Sequence, residues 1–351
     1  SAGVQFGLSA NTAGLAPATS GGVALVYSVS GGTLTAKAGV AGPTVFTLTV
    51  ETDGDYTFTL IRPVDHPLGN GDDNELLVMN FASILQASNG ATPVALAGDF
   101  LVQIEDDVPA IAAGSAPADS LQVDETNLSV NASTNFAGAF TGSYGGDGSG
   151  TTTYNLSVSA PGVDSGLDDS ATGSNILLYN EAGVIVGRVG GAGGQIAFTV
   201  TVNGSGLVTL DQQRAIIHTP NTGVDQESSL GAANLVQLTA SITDKDGDST
   251  SATLNLGEAI SFRDDGPSIS AGSAGIDTLQ VDESNLLGDA STNFAGAFSG
   301  NYGADGAGST TYSLSVSASG VDSGLDDSAT GSNILLYNEA GVIVGRVGGA
   351  G

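Results

Sequence analysis

The sequence contains no cysteine and no tryptophan, only two histidines, and seven basic residues against 37 acidic ones. Without cysteine no disulfide can cross-link the chain, so a secreted form would need another cross-link, for which a divalent metal ion is the obvious candidate. The formal net charge of -30 repels phosphate backbones and anionic membrane surfaces. The composition therefore argues against nucleic acid and lipid headgroups as partners and favours cations.

Long hydrophobic runs are also absent. No run is long enough for a membrane-spanning helix, so we expect no direct membrane insertion. Ser1 does not begin a recognisable signal peptide, and we expect the chain to be an interior segment of a longer exported protein. With 40% hydrophobic residues, the chain nevertheless has enough apolar side chains to build cores, unlike a disordered acidic tail.

Residues suited to catalysis are scarce. His66 and His218 occupy equivalent positions near predicted strand ends beside proline, where a structural role is the simpler interpretation. The sequence has no Gly-x-Ser-x-Gly motif, no phosphate-binding glycine loop and no histidine pair spaced for zinc. We therefore expect no catalytic residues and no enzymatic activity.

The chain does contain a copy of part of itself. Leu121–Gly193 recurs as Leu279–Gly351 at a constant offset of 158, with 11 differences over 73 aligned positions. The first hundred residues are a diverged copy, in which Tyr27 aligns with Tyr179 at an offset of 152. A period of this length corresponds to a whole domain rather than to a solenoid turn. Tandem multiplication of a domain favours a role in reach, spacing or surface display.

An Asp-Asp-x-Pro element at Asp106–Pro109 and Asp264–Pro267 marks the predicted domain boundaries. Proline stiffens a linker and stops strand pairing. The chain then divides into the C-terminal part of a diverged repeat unit (1–108), a complete repeat unit (109–266) and the N-terminal part of a third, near-identical unit (267–351). The third unit lacks counterparts of Gly194–Arg263, so a boundary near Gly190–Gly194 is the alternative.

Short runs of alternating apolar and polar residues, separated by glycine, asparagine and aspartate, predict β-strands throughout. Turn residues at Glu181–Gly183 and Asn203–Gly206 predict hairpins. The 53 glycines suit turns and bulges better than helices. We predict an all-β chain of antiparallel β-sandwich domains in an elongated tandem array. Predicted strands include Val45–Val50, Tyr56–Ile61, Tyr154–Ser159, Ile196–Val202 and Leu235–Ile242.

The strongest metal-binding motif places Asp244, Asp246 and Asp248 at alternate positions around a glycine. Three such carboxylates can converge on one Ca²⁺ ion, which takes six to eight oxygen ligands at ~2.3–2.6 Å. The motif lies between the predicted strands Leu235–Ile242 and Ala252–Leu256, at a hairpin tip. The alternative is a polar turn that merely tolerates aspartate. The 12-residue loop and closing glutamate of an EF-hand are absent.

Paired carboxylates at the two domain junctions form the second motif. Close carboxylate pairs repel by ~1–4 kcal/mol at intermediate dielectric unless a cation lies between them. A shared Ca²⁺ ion would fix the angle between domains, whereas the alternative is a solvated acidic linker. The predicted ligands are Asp106, Asp107, Asp124 and Glu125 at the first junction, and Asp264, Asp265, Asp282 and Glu283 at the second.

Other aspartates carry weaker signals. Asp164, Asp168 and Asp169 have a spacing that suits either oxygen ligation or a solvated loop. Asp147 and Asp305 lie in glycine-rich turns, where aspartate is common for backbone reasons.

These motifs together resemble the tandem repeats of giant bacterial adhesins of the RTX, type I secreted class. The residues that carry the resemblance are Phe46–Val50, Asp65–Pro67, Asp106–Pro109 and Asp244–Asp248. The resemblance implies immunoglobulin-like β-sandwich extender domains, Ca²⁺ that rigidifies domains and linkers, and projection of terminal binding modules from the cell during biofilm formation. It assigns calcium ligation to the Asp244–Asp248 loop and the Asp-Asp-x-Pro junctions only. The glycine-rich nonapeptide β-roll that names the class is absent.

We therefore interpret the chain as a structural extender of an extracellular, calcium-stabilised adhesin or filament on a bacterial cell surface. Its expected partners are calcium ions and neighbouring repeats of the same chain. Two alternatives remain: a module that binds a glycan or surface directly, and a filament subunit that associates with other copies of itself by strand exchange.

Overall fold

The computed structural model describes residues 3–66, 76–219, 225–245, 247–273 and 279–348. These residues form an all-β chain, which confirms the predicted class. Helical structure within them is limited to 3₁₀ turns at Glu125–Asn127, Ala137–Ala139, Gly257–Ala259 and Ala295–Ala297. No helix in the described part of the chain is long and apolar enough to cross a membrane.

The first repeat builds one five-stranded sheet in the order β2-β3-β4-β5-β6 and two smaller sheets, β1-β8-β9 and β10-β7. Its hydrophobic core includes the fully buried side chains of Leu34, Phe46, Leu48 and Phe81. The strands of this repeat are β1 (Gln5–Leu8), β2 (Thr19–Ser20), β3 (Val23–Ser30), β4 (Thr33–Ala38), β5 (Thr44–Val50), β6 (Tyr56–Leu60), β7 (Leu76–Asn80), β8 (Leu85–Ser88), β9 (Val94–Ala95) and β10 (Leu101–Glu105).

The second repeat is the most complete. Its strands are β11 (Ala110–Ala113), β12 (Leu121–Asp124), β13 (Ala132–Asn135), β14 (Phe140–Ser143), β15 (Ser149–Val158), β16 (Val163–Asp168), β17 (Asn175–Glu181), β18 (Val184–Val189), β19 (Ile196–Val202), β20 (Leu207–Gln212), β21 (Glu227–Ser229), β22 (Val236–Asp244), β23 (Ser249–Asn255) and β24 (Ile260–Arg263). They form a six-stranded sheet, β13-β20-β19-β18-β17-β16, two three-stranded sheets, β15-β22-β23 and β12-β24-β21, and the pair β11-β14.

Alternation of side chains explains these strands. In β22, Val236, Leu238, Ala240 and Ile242 are buried, whereas the residues between them are partly exposed. Successive side chains of a strand point to opposite faces, so these four lie on one face of β22, and Val236 and Leu238 among them belong to the core of the second repeat. Fully burying a valine, leucine or isoleucine side chain contributes roughly 1.5–3 kcal/mol, so this single strand anchors its sheet.

The pairing of β12 with β24 is parallel and joins the two ends of the second repeat. Leu121 lies opposite Ile260, and Val123 lies opposite Phe262. All four side chains belong to the core of this repeat. The Gly190–Gly194 segment, by contrast, connects the adjacent antiparallel strands β18 and β19 of one sheet. The chain therefore continues within one core across the alternative boundary; the predicted limits 1–108, 109–266 and 267–351 stay a prediction.

The third repeat contains β25 (Ser268–Ala271), β26 (Phe298–Asn301), β27 (Val321–Asp326), β28 (Asn333–Glu339) and β29 (Val342–Val347). Strand β25 pairs with β26, and β27, β28 and β29 form a separate sheet. By its internal contacts the chain divides into two compact units, Ser1–Asp305 and Gly306–Gly351. Both domain junctions that the sequence predicts lie within the first unit.

Candidate metal centre

Two clusters of carboxylates and histidine recur at equivalent positions in the first compact unit. The second cluster, at the end of the second repeat, is the richer one. Its members are Glu125, His218, Asp264, Asp265 and Asp305. One ligand atom from each of Glu125, Asp264, Asp265 and Asp305 lies within 4.8 Å of the others, and the same holds for Glu125, His218 and Asp264. We call this set the distal cluster.

Glu125 reaches the distal cluster because of the parallel pairing described above. Strand β12 runs beside β24, so the residue after β12 emerges beside the residues that follow β24, Asp264 and Asp265. Its Oε1 accepts hydrogen bonds from the Gln212 side chain (2.6 Å) and from the backbone N–H of Ile216 (3.0 Å). The structure thus fixes the carboxylate of Glu125 by two donors.

Several polar atoms of the distal cluster are buried without a hydrogen-bond partner among the described residues. They are Oε2 of Glu125, Oδ1 of Asp264 and both ring nitrogens of His218. Nε2 of His218 lies 3.4 Å from Oε1 of Glu125. Leaving a buried polar group unsatisfied costs ~1–3 kcal/mol, and more for a charged group. A bound cation would satisfy the two carboxylate oxygens.

The pKa shifts of Asp264 and His218 also favour a bound cation in the distal cluster. Burial raises the pKa of Asp264, and the negative charges of Asp305 and Asp265 raise it further, against the opposing effect of His218. Burial lowers the pKa of His218, but the neighbouring carboxylates of Glu125, Asp264 and Asp305 outweigh this, so that the net shift is upward. Both directions describe a site with excess negative charge, which a positive ion would neutralise.

The first cluster lies at the end of the first repeat and contains His66, Asp106, Asp107 and Asp147. One ligand atom from each of the three aspartates lies within 4.8 Å of the others. Nδ1 of His66 lies 3.0 Å from Oδ1 of Asp106, and both side chains are buried. Burial raises the pKa of Asp106, an effect that the charge of His66 opposes. We call this set the proximal cluster; no glutamate equivalent to Glu125 joins it in the part of the chain that is described.

The two clusters share their backbone geometry. In the proximal cluster, Oδ2 of Asp107 accepts a hydrogen bond from the backbone N–H of Gly146 (2.6 Å). In the distal cluster, Asp265 accepts the corresponding bond from Ala304 (3.0 Å). The preceding residue in each turn is glycine with a positive φ, and a Cβ atom there would overlap the aspartate carboxylate. The glycine-rich turns are therefore shaped around these aspartates.

The predicted hairpin motif lies beside the proximal cluster. Asp244 is buried, and its Oδ1 accepts hydrogen bonds from the backbone N–H groups of Gly247 (3.0 Å) and Asp248 (2.8 Å). Its negative charge contributes to the raised pKa of Asp106. Lys245 lines a cavity of about 310 Å³ together with Asp65, His66 and Asp147. Asp246 and Pro67 lie outside the described residues.

The remaining predicted ligands stand apart from the clusters. Asp124 is exposed and accepts a hydrogen bond from the backbone N–H of Thr126 (2.9 Å), which caps a 3₁₀ turn. Asp282 is exposed and makes the same bond to Ser284 (2.8 Å), and Glu283 is also exposed. The sequence grouped Asp106 and Asp107 with Glu125, whereas the structure places Glu125 with Asp264 and Asp265, because β12 pairs with the far end of its own repeat.

Sequence reasoning missed four members of the clusters: His66, His218, Asp147 and Asp305. Their recurrence was the available signal, since Asp147 and Asp305 lie 158 positions apart and follow the two Asp-Asp-x-Pro elements at the same distance. Asp169, left open by its spacing, forms a buried ion pair with Arg214 (Oδ1 to Nε, 2.6 Å) and is structural.

Comparison with known families agrees with the repeat. The model of a domain of unknown function, DUF5801, matches residues 120–257 and again residues 278–351, which together make up more than half of the chain. The chain therefore belongs to the DUF5801 family. No curated protein and no solved structure matches it.

Proposed function

We propose that this chain is a structural extender whose repeats are coupled by divalent cations, calcium above all, held in the distal and proximal clusters. In this proposal, immunoglobulin-like β-sandwich repeats stack in an elongated array. The array projects binding modules of an extracellular bacterial adhesin or surface filament. The single observation that carries the proposal is the pair of buried carboxylate oxygens without a hydrogen-bond partner, Oε2 of Glu125 and Oδ1 of Asp264, in a cluster that the carboxylates of Asp265 and Asp305 join.

The donor set favours calcium. Ca²⁺ prefers carboxylate and carbonyl oxygens and accepts irregular geometry, and four carboxylates approach one another in the distal cluster. His218 would then serve as the partner of Glu125 and orient it rather than ligate the ion. A Glu-His-Asp set is also typical of transition metals. A His218→Gln variant separates the two readings, because calcium affinity should survive it and zinc affinity should fall.

The origin of the ligands supports a coupling role. Glu125 comes from the start of the second repeat, Asp264 and Asp265 from its end, and Asp305 from a turn of the third. An ion held by all four would close the second repeat and fix the start of the third against it. Binding that depends on the folded arrangement stabilises the fold by mass action, roughly 2.7 kcal/mol per site at 100 times the dissociation constant.

The same linkage suits export. A chain with 37 acidic and seven basic residues repels itself in the compact state when calcium is scarce. Outside the cell, calcium would neutralise carboxylates that only the folded form brings together. Calcium held in the two clusters would thus both neutralise the acidic chain and take the place of disulfide cross-links.

Small-angle X-ray scattering with and without calcium tests the extender function. We expect calcium to sharpen the distribution of intramolecular distances and reduce the flexibility of the scattering profile, because the ion fixes the junctions. Magnesium, which demands near-octahedral geometry, is the matched control and should act more weakly. Identical scattering profiles in EDTA and in excess calcium would contradict the proposal.

A further inference from the structure

The tip of the β22–β23 hairpin in the second repeat reaches the first repeat. Lys245, at this tip, lines one cavity together with Gly21, Gly22 and Asp65 of the first repeat. A Cβ atom built on Gly21 would lie 3.1 Å from Nζ of Lys245, so the ammonium group lies against the backbone of the β2–β3 turn. Lys245 is one of only two lysines in the sequence. The chain thus places one of its scarce positive charges where two repeats meet.

Asp65 is the acidic group that faces Lys245. Its Oδ1 accepts a hydrogen bond from the backbone N–H of Gly21 (2.5 Å), and its Oδ2 accepts one from the N–H of Gly22 (2.8 Å). Burial raises the pKa of Asp65, but hydrogen bonds from Thr19, Gly22 and Gly21 and the charge of Lys245 outweigh this effect, so that the net shift is downward. Asp65 is therefore an ionised carboxylate, fixed in place by the turn beside the ammonium group.

The second repeat neutralises the same corner of its fold from within. At the offset of 152, Ile217 aligns with Asp65, and Asp169 aligns with Pro17. The acidic group of this corner in the second repeat is Asp169, which pairs with Arg214 of the same repeat. In the first repeat the acidic group lies on the other side of the corner, and the positive charge that acts on it comes from the following repeat. The contact at Asp65 is therefore specific to the junction and is not a general feature of the repeat.

The hairpin tip that carries Lys245 is held by its own hydrogen bonds. Oδ1 of Asp244 accepts bonds from the backbone N–H groups of Gly247 and Asp248, and the N–H of Asp244 donates to the carbonyl oxygen of Asp248 (2.9 Å). A loop that is ordered in advance loses little conformational entropy when it docks. Contact with the first repeat has to order only the lysine side chain.

We propose that this hairpin tip fixes the orientation of the second repeat on the first without a metal ion, because Lys245 packs against the Gly21–Gly22 turn and neutralises Asp65. Among the described residues that line the cavity at Lys245, neither Asp106 nor Asp107 of the linker is present. The contact therefore lies away from the linker, where it opposes rotation about it. This inference goes beyond the proposed function and does not require metal binding.

A contact of this kind is suited to orientation rather than to folding. A charge pair at a protein surface changes an equilibrium by about twofold to fivefold. A bias of that size does not decide whether a repeat folds, but it does decide which of several orientations about a linker is the main one. Salt screens exposed charges, so the bias should weaken as ionic strength rises.

Distances between spin labels on the two repeats test the proposal, because the chain has no cysteine of its own. Ser28→Cys in β3 and Ser251→Cys in β23 place one nitroxide label on an exposed position of each repeat. In EDTA and low salt, double electron–electron resonance should show one main distance for the chain with Lys245. Lys245→Glu should lower the population at this distance, relative to all others, about threefold or more. Lys245 is exposed, so the substitution leaves each repeat folded.

Two substitutions are the matched controls. Lys245→Arg keeps the charge and should keep the distance distribution of the wild type. Lys37→Gln removes the other lysine, which lies in β4 among residues that do not line the cavity, and should also have no effect. Sodium chloride at 1 M should broaden the wild-type distribution towards that of Lys245→Glu and change the variant little. Equal distributions for the wild type and Lys245→Glu in EDTA and low salt would overturn the proposal.

A double-mutant cycle identifies Asp65 as the partner. Asp65→Asn keeps a hydrogen-bond acceptor for the turn and removes the charge. If the two groups act on each other, Asp65→Asn and Lys245→Gln should each lower the main population about twofold, and the double variant should lower it no further. Effects that multiply in the double variant would show that Lys245 acts through another group and would overturn the assignment of Asp65.

Calcium distinguishes this inference from the proposed function. A main distance in EDTA that depends on Lys245, with no change on adding calcium, would support the hairpin contact and contradict metal binding at the proximal cluster. A distribution that calcium alone narrows, with equal results for the wild type and Lys245→Glu in EDTA, would support the metal and overturn the hairpin contact. We expect both effects: a main distance in EDTA that depends on Lys245, and further narrowing on adding calcium.

Discussion

Asp169 and Asp264 show how neighbours decide the role of a buried aspartate. Both are buried, but two side-chain hydrogen bonds from Arg214 lower the pKa of Asp169, whereas burial beside further carboxylates raises the pKa of Asp264. The first carboxylate has its positive partner within the chain. The carboxylate of Asp264 lies among other carboxylates instead. This difference distinguishes a structural ion pair, at Asp169, from a candidate metal ligand, at Asp264.

Sequence could supply the residue types of the clusters but not their grouping. The Asp-Asp-x-Pro elements stood out because acidic pairs recur beside proline. The neighbours of Asp264 could not be read from the sequence, because Glu125 arrives from 139 residues upstream through a parallel strand pair. His218 was interpreted as structural because a single histidine near a strand end carries no ligand spacing.

Replacing Asp169 with asparagine should destabilise the second repeat by about 2 kcal/mol, because charged hydrogen bonds to Arg214 are lost. The folded-state pKa of Asp169 is lowered, so its contribution is present above the unfolded pKa of ~3.9 and is lost as pH falls through the folded value. As the pH falls below ~4, the free energy of unfolding should therefore fall less for the variant than for the wild type, and the difference between the two proteins should shrink. Urea unfolding at several pH values measures both effects.

Asp327→Asn is the control for this variant. Asp327 is the copy of Asp169 in the third repeat, where it is partly exposed and accepts a hydrogen bond from the side chain of Thr330. We expect a change within about 0.5 kcal/mol, as for other surface substitutions. Equal destabilisation by the two substitutions would show that the ion pair with Arg214 contributes little.

At the scale of elements, local pairing was predictable and long-range pairing was not. The hairpins at Glu181–Gly183 and Asn203–Gly206 are confirmed as the β17–β18 and β19–β20 turns, because turn residues and alternation are local signals. The parallel pairing of β12 with β24 was missed. Four residues in β12 carry too little pattern to reveal a partner so far along the chain.

The importance of this pairing can be measured with two identical substitutions. Leu121→Ala removes a fully buried side chain and should cost about 2–5 kcal/mol, whereas Leu279→Ala, at the equivalent exposed position, should cost little. Chemical denaturation of the wild type and both variants gives both values. A small cost at Leu121 would show that β12 is not an essential part of the second core.

At the scale of the whole molecule, copying a domain also copies its junction. One family model matches residues 120–257 and again residues 278–351. The two clusters recur with the same spacing of 158 residues, so each repeat carries its own junction site. A chain of this kind can be lengthened by adding repeats without designing a new interface. Such lengthening suits the proposed extender role.

Removal of divalent cations should lower the thermal stability of the whole chain. Each occupied site adds roughly 2.7 kcal/mol at 100 times its dissociation constant, against ~5–15 kcal/mol for the net stability of a domain. We expect the melting temperature to fall in EDTA and to recover on adding excess calcium. Calorimetric scans in EDTA and in millimolar calcium check this, with added sodium chloride as the control for general screening of acidic charge.

The central claim is that Glu125 and the three aspartates of the distal cluster hold a calcium ion. Isothermal titration of calcium into the wild type, a Glu125→Gln variant and a Glu283→Gln variant tests it most directly, because the two glutamates occupy the same repeat position and only Glu125 lies in the distal cluster. We predict that Glu125→Gln removes or weakens one binding event at least tenfold and that Glu283→Gln leaves every event unchanged. Absence of calcium binding by the wild type, or the same isotherm for the wild type and Glu125→Gln, would contradict the account.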